Sequence, residues 1–197
     1  MNDKKNRKNG NVPQFSLFAP GINKPCGQKP YLTEATMGDV YRWMNSMNMV
    51  KLTQQLRAIT DEKEQKRFKA EKLPFATFSG TFSYRNQKGL LKHSSLQCFD
   101  FDHLGSKGEI NRVRQLLAND PYFSTELMFT SPRGDGLKWV TRIDLERATH
   151  EKWYAAIRRY LQCQYSLNAD PMPGNVASAC FLCFDAQMTI NTDVAPF

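Results

Sequence analysis

Asp100 and Asp102 are the residues whose type and spacing point most directly to chemistry. They stand two apart in SLQCFDFD, a run whose composition reads as a β-strand. Strand geometry then puts both carboxylates on one face and Phe99 and Phe101 on the other. Two like charges roughly 6–7 Å apart along a strand repel unless a cation lies between them. Hard oxygen donors suit Mg²⁺ or Mn²⁺, which keep several waters and bind phosphates as well. A solvated strand edge would also accept two acids, but the adjacent Phe99 and Phe101 make that setting less natural.

A second element is Ser131-Pro-Arg-Gly-Asp-Gly-Leu-Lys138. Gly134 and Gly136 would let backbone N–H groups approach a phosphate closely. Arg133 adds a planar fork and Lys138 a point charge. Gly-Asp-Gly is equally good chemistry for an ordinary hairpin turn. Arg85, just beyond a strand-like stretch around Gly80, is a candidate substrate contact. Cys180 and Cys183 form one CxxC, with no second Cys/His pair at zinc spacing, so they read as packing thiols. His93, His103 and His150 are scattered and do not form the paired metal ligands of a rolling-circle nuclease. Trp139, Tyr84 and Tyr122 have faces on which bases stack, but aromatics in strands generally pack in cores, and no role is assigned to them.

These residues belong to a chain of 197 residues that is 41% hydrophobic and 23% charged, which excludes wholly disordered and collagen-like classes. Lys plus Arg number 27 against 19 acids, a net charge of +8, and such an excess favours anionic partners, nucleic acid or nucleotides first. Residues 1–30 hold six basic side chains (Lys4, Lys5, Arg7, Lys8, Lys24, Lys29) and one acid, so +5 of the +8 is expected in a basic, mobile or loosely packed arm. No apolar stretch is long enough to span a bilayer, and Lys4 to Lys8 lead into Asn, Pro and Gln with no apolar signal core, so a cytoplasmic chain with no membrane partner is expected. Five Cys with no export signal read as reduced thiols.

The elements that must position the acids follow from periodicity. Thr33 is a possible cap for a helix carrying Val40, Trp43, Met44 and Met47. Residues 61–72 read as a solvated helix anchored by Phe68, and their alternating charges make a poor phosphate patch. Residues 74–82 are β-rich, with Gly80 marking a bend or bulge. Strands follow at 95–102, 125–130, 137–143 and 179–184. Between them lie a helix opened by Ser106 and Glu109 and another capped by Thr149, whose face carries Trp153, Ile157, Tyr160 and Leu161. The order from Ser95 is β-α-β-β-α-β, the ferredoxin-like arrangement shared by RNA-recognition-motif sheets. The expected fold is therefore α+β: residues 31–94 an N-terminal α/β portion and residues 95–197 an RRM-like core, in one domain spanning 31–197. In that topology the strand order is 4-1-3-2, and the Asp100 strand lies between strands three and four. Its C-terminal end then meets both the glycine loop and the loop at 168–175. Asp170 in that loop becomes the third carboxylate, while Asp185 falls at the far end.

Four ordered motifs, LPFATFSGTFSYR, SLQCFDFDHL, SPRGDGLKW, and ACFLCFD followed by Asn191 and Asp193, resemble the VirE N-terminal-type domain of bacterial mobile elements. That family is similar to the primase-polymerases of the archaeo-eukaryotic primase superfamily. The resemblance covers about residues 73–197. It implies that Asp100, Asp102 and Asp170 hold two divalent ions, Mg²⁺ or Mn²⁺. It also implies that Ser131, Gly136 and Lys138 contact the phosphates of an incoming nucleotide. Many primases have His where this chain has Lys138, and Ser178 stands where the family often shows Arg. The implied activity is nucleotidyl transfer in replication of a mobile element. The implied partners are single-stranded template or primer-template, nucleoside triphosphates and a helicase on a separate chain. The alternative is a non-catalytic nucleic-acid-binding initiator or accessory module that keeps the fold.

Overall fold

The computed structural model describes residues 12–22 and 32–191. The six basic residues of the expected arm lie outside these. Within those first thirty positions one described stretch is packed, not loose. Phe15–Phe18 forms strand β1, with all four residues buried. Four consecutive residues that bury on both faces outweigh the polar average of the first thirty. Leu32–Ala35 is β2, paired antiparallel to β1. Thr33, expected as a helix cap, therefore sits in a strand. The cap of α1 (Met37–Met44) is Thr36, whose hydroxyl accepts from the Asp39 N–H while the Asp39 carboxylate accepts from the Thr36 N–H.

Ser46 caps α2 (Met47–Ala58), and Asp61 caps α3 (Glu62–Lys72). Helix α3 buries none of its residues fully, as its charge pattern predicts, and Phe68 anchors it against Met49, Leu56 and Leu73. Next come β3 (Phe75–Thr77) and β4 (Gly80–Phe82), the latter in a hairpin with β5 (Leu90–His93). The pairing shifts register between Thr81 and Phe82, close to the expected bulge, and a side chain at Gly80 would collide with the Lys92 carbonyl oxygen.

From there the order follows expectation through β6 (Leu96–Phe101), α4 (Lys107–Ala118), β7 (Thr125–Thr130), β8 (Leu137–Arg142) and α5 (His150–Tyr165). Ser106 and Thr149 cap the two helices. Two short strands close the described chain, β9 (Cys180–Phe181) and β10 (Thr189–Ile190).

The protein is α+β, with five α-helices and antiparallel sheets among the described residues. One sheet runs β2-β1-β3-β9, a second β10-β7-β8-β6, and β4-β5 stands as a pair. Strands one, two and three of the expected core thus adopt the expected neighbours. The fourth does not: β9 pairs with β3, leaving β6 at an edge, and β10 takes the opposite edge beside β7. The run expected as one strand over 179–184 is paired only at Cys180 and Phe181. Its Leu182 and Cys183 fill the core between the sheets instead, and Leu182 N–H donates to the Pro74 carbonyl.

Both faces of the second sheet are covered. Leu96, Leu127, Phe129 and Val140 pack toward Phe15, Met37 and Val40, on β1 and α1. Phe99, Phe101, Met128 and Trp139 pack on the other side against Val113 and Leu117 of α4 and Ile157 and Leu161 of α5. Each such large side chain contributes about 1.5–3 kcal/mol of apolar burial. The CxxC thiols are buried in this packing, and burial pushes the Cys183 thiol up to about 12. No helix among the described residues is long and apolar enough to cross a membrane.

Candidate metal and anion cleft

The alternation along β6 sets up the site. Leu96 and Cys98 point into the space between the two sheets, and Phe99 and Phe101 point to the helices. Asp100 and Asp102 therefore continue the inter-sheet face beyond the point where its apolar filling ends. The register of β6 on β8 places Lys138 directly opposite Asp100, and the two form an ion pair through Lys138 Nζ and Asp100 Oδ2. The other carboxylate oxygen, Asp100 Oδ1, is buried with no hydrogen-bond partner among the described residues. Asp102, one residue past the strand, is exposed.

Asp170 arrives on the loop at 168–175. Its backbone N–H donates to the Asp100 carbonyl at 2.8 Å, so this loop docks on the end of β6 although β9 does not pair there. Helix α5 holds the loop from behind. The Tyr154 hydroxyl donates to the Asp170 carbonyl, and Arg158 Nε donates to the Ala169 carbonyl at 3.0 Å. Tyr154 stacks on Phe99 with ring centroids 4.7 Å apart and planes 2° apart. Burial, then the neighbouring Cys98, raises its phenol well above the usual range, so it remains a donor. Asp170 Oδ1 accepts from the Met172 N–H at 2.9 Å, which aims the side chain. Carboxylate oxygens of Asp100, Asp102 and Asp170 lie within 4.8 Å of one another, from two distant segments of the chain.

The three acids open on a cleft of about 510 Å³, lined also by Lys69, Arg85, Pro132, Lys138, Ser178 and Phe181. Among the residues singled out from sequence, Asp100, Asp102, Asp170, Lys138 and Arg85 thus share one cavity. Ser131, Arg133, Gly134 and Gly136 do not line it. Arg133 is tied to Glu62 at 3.3 Å and to Asp135 at 3.5 Å. The Ser131 hydroxyl donates to Asp135 Oδ1 at 3.1 Å, and the Gly134 N–H donates to the Ser131 carbonyl at 2.9 Å. Gly134 has φ +86° and faces Arg57, which donates to the carbonyls of Ser131 and Pro132 at 3.2 Å each. A side chain at Gly136 would strike the Phe101 carbonyl oxygen. The glycines therefore permit a tight β7–β8 turn packed against β6 and α2, the turn chemistry that competed with a phosphate cradle in the sequence.

Lys69 was missed. It projects from α3, whose charge alternation argued against a phosphate role. Burial, followed by the charges of Lys138 and Arg133, lowers its ammonium pKa, against the opposing pull of Asp102 and Asp135. A helical residue near the last turn of a solvated helix gives no periodic sign that it faces a distant strand. Asp185 lies away from the cleft, as expected. Burial would raise its pKa, but hydrogen bonds from the Thr130 and Gln187 N–H groups and from Arg114 together hold it below the usual carboxylate range.

Residues 68–189, more than half of the chain, match the family model described as BT4734-like, N-terminal domain. No curated protein and no solved structure matches the chain.

Proposed function

We propose that this chain, which belongs to the BT4734-like N-terminal domain family, is a metal-dependent nucleotidyltransferase of the primase-polymerase type, acting in replication of a mobile element. The observation that carries this is the convergence of Asp100, Asp102 and Asp170 within 4.8 Å, on a cleft that also presents Lys69, Arg85 and Lys138. Acids facing fixed cations suit a metal-bound triphosphate. Further support comes from the β-α-β-β-α order of β6 to α5, whose three strands take the neighbours expected of an RRM-like core although β9 pairs elsewhere, and from the motif resemblance to VirE N-terminal-type domains and primase-polymerases.

The residues fit Mg²⁺ or Mn²⁺: all three donors are hard oxygens, and Asp100 Oδ1 is buried without a partner among the described residues. When bound, the two ions would stabilise the attacking 3′-hydroxyl oxygen and the leaving pyrophosphate oxygen. The protein's own part is positioning and charge. The Phe99–Tyr154 stack and the Asp170–Asp100 backbone hydrogen bond hold the acids together before any ligand arrives. Lys138 and Arg85 present charge to the phosphates from β8 and from beyond β4. The strand to be copied, and the helicase that would expose it on a separate chain, belong to the same proposal.

The test is incubation of the purified protein with a single-stranded template, labelled nucleotides and Mn²⁺. Labelled product from wild type and none from Asp100→Asn is the expected result. No product from wild type, or equal product from the variant, rejects it. The alternative of a non-catalytic binding module is favoured by two observations: Lys138 already engages Asp100, and Ser178 lines the cleft where the related families often have Arg. Single-strand binding that ignores EDTA and survives Asp102→Ala, with no product formed, would select it.

A further inference from the structure

A row of aromatic rings with cations resting on it ends at Phe181, which lines the cleft. The registers of β1, β3 and β9 place Phe18 opposite Phe75 and Phe75 opposite Phe181. Phe18 and Phe75 stack at 4.7 Å with planes 7° apart, and Phe75 meets Phe181 edge-on at 5.7 Å. This is a cross-strand ladder of the kind that stiffens a sheet. Lys69 Nζ lies 5.3 Å from the centre of the Phe181 ring, and the Arg85 guanidinium lies 5.6 Å from that of Phe75.

Cation–π contact fixes the position of a charge without neutralising it. Arg85 adds one hydrogen bond, to the Ala177 carbonyl at 3.4 Å, which also leaves its charge intact. Among the described residues neither Lys69 nor Arg85 has a salt-bridge partner, and both line the cleft. Burial, and after it the charges of Lys138 and Arg133, lower the ammonium pKa of Lys69, while Asp102 and Asp135 oppose them.

We propose that Lys69 and Arg85, held over Phe181 and Phe75, form a polyphosphate-binding wall that engages its ligand without a divalent ion. The ligand class is a linear polyphosphate, either free or as the tail of a nucleoside triphosphate. The cleft volume of about 510 Å³ lies in the range of small-molecule sites. The site rests on the nucleotide reading above only for the identity of the natural ligand. Its binding step requires no catalysis. The phosphate-holding residues are thereby assigned to the N-terminal α/β portion, and not to the glycine loop, whose Gly134 N–H and Arg133 side chain are already engaged.

The experiment is calorimetric titration of the full chain with inorganic tripolyphosphate, and separately with a nucleoside triphosphate, in EDTA. Wild type is expected to bind both. Lys69→Met and Arg85→Met should each weaken binding roughly tenfold, the loss expected for a charge-assisted hydrogen bond. Lys69→Arg should retain binding, which separates loss of charge from loss of fold. Asp102→Asn should bind more tightly than wild type, since it removes a repelling charge. Lys66→Met, on the exposed side of the same helix, should bind as wild type does. Failure of wild type to bind tripolyphosphate in EDTA overturns the site, as does equal weakening by Lys66→Met and Lys69→Met. Binding of the nucleoside triphosphate alone overturns the polyphosphate assignment. Primer extension without anion binding in EDTA would overturn this wall and leave nucleotidyl transfer standing. Anion binding in EDTA without extension would do the reverse.

Discussion

Lys138 and Tyr154 illustrate two ways in which single side chains hold an acid cluster together. Lys138 supplies the positive charge that lets Asp100 remain buried, so Lys138→Met leaves an uncompensated carboxylate. That variant should lose about 1–3 kcal/mol of stability in urea unfolding with EDTA present. Added Mn²⁺ should restore more of that stability than it adds to wild type, because the ion replaces the missing charge. Tyr154→Phe keeps the stack on Phe99 but removes the donor to the Asp170 carbonyl. It should cost about 1 kcal/mol in the same measurement. At this scale the acids were legible because two strand-spaced carboxylates and a lysine across the register need only periodicity to be placed. Tyr154 was not, since a phenol in an amphipathic helix looks like any core aromatic. The choice between phosphate cradle and tight turn was not legible in the glycine loop, because proximity of Gly136 to the Phe101 carbonyl is a tertiary fact with no local sign.

Elements were legible where caps and alternation were strong, from β6 to α5. They were less so where pairing depended on partners far away. The stretch 179–184 has strand composition throughout, yet two of its residues pair and two fill the core, a division decided by where β3 lies. Two tertiary links between elements give separate predictions. His93 Nε2 and His150 Nδ1 lie 3.1 Å apart between β5 and α5. Burial, then the neighbouring His93, lowers His150 to about 4, and burial lowers His93 as well. A histidine depressed in the folded state binds fewer protons there than when unfolded, so its contribution to stability is complete above the unfolded value of about 6.5. That contribution shrinks as pH falls from 6.5 toward 4. Urea midpoints should drop across this window, and His150→Gln should flatten the drop. The second link is the buried pair of Arg114 on α4 with Asp185 after β9, 2.8 Å apart. Arg114→Met should destabilise by about 3–5 kcal/mol, because it strands a buried carboxylate.

The whole molecule combines a net charge of +8 with a cleft that carries both signs of charge. Residues 1–11, which precede β1, carry four of the basic side chains and one acid. Removing them leaves strand β1, which begins at Phe15, intact in sequence. The removal should weaken single-strand binding and reduce the slope of log affinity against log salt by up to about 2–3, the value for three to four neutralised phosphates on a single strand. An unchanged slope would show that this segment touches no phosphate. Residues of both sheets, of α3 and of the loop at 168–175 line the cleft, and no single stretch of sequence announces that arrangement. Two of its acids follow from one strand, whereas Asp170 comes on a separate loop and the placement of Lys69 and Arg85 requires α3, β3 and β9 to meet.

The most direct measurement is a Mn²⁺ titration of the full chain, followed by the loss of the free-ion electron spin resonance signal, in wild type and in Asp170→Asn. Convergence of residues 100, 102 and 170 on shared ions predicts binding by wild type that weakens at least roughly tenfold in the variant. Equal affinity in the two proteins would contradict it, because the third carboxylate would then have no part in holding the metal.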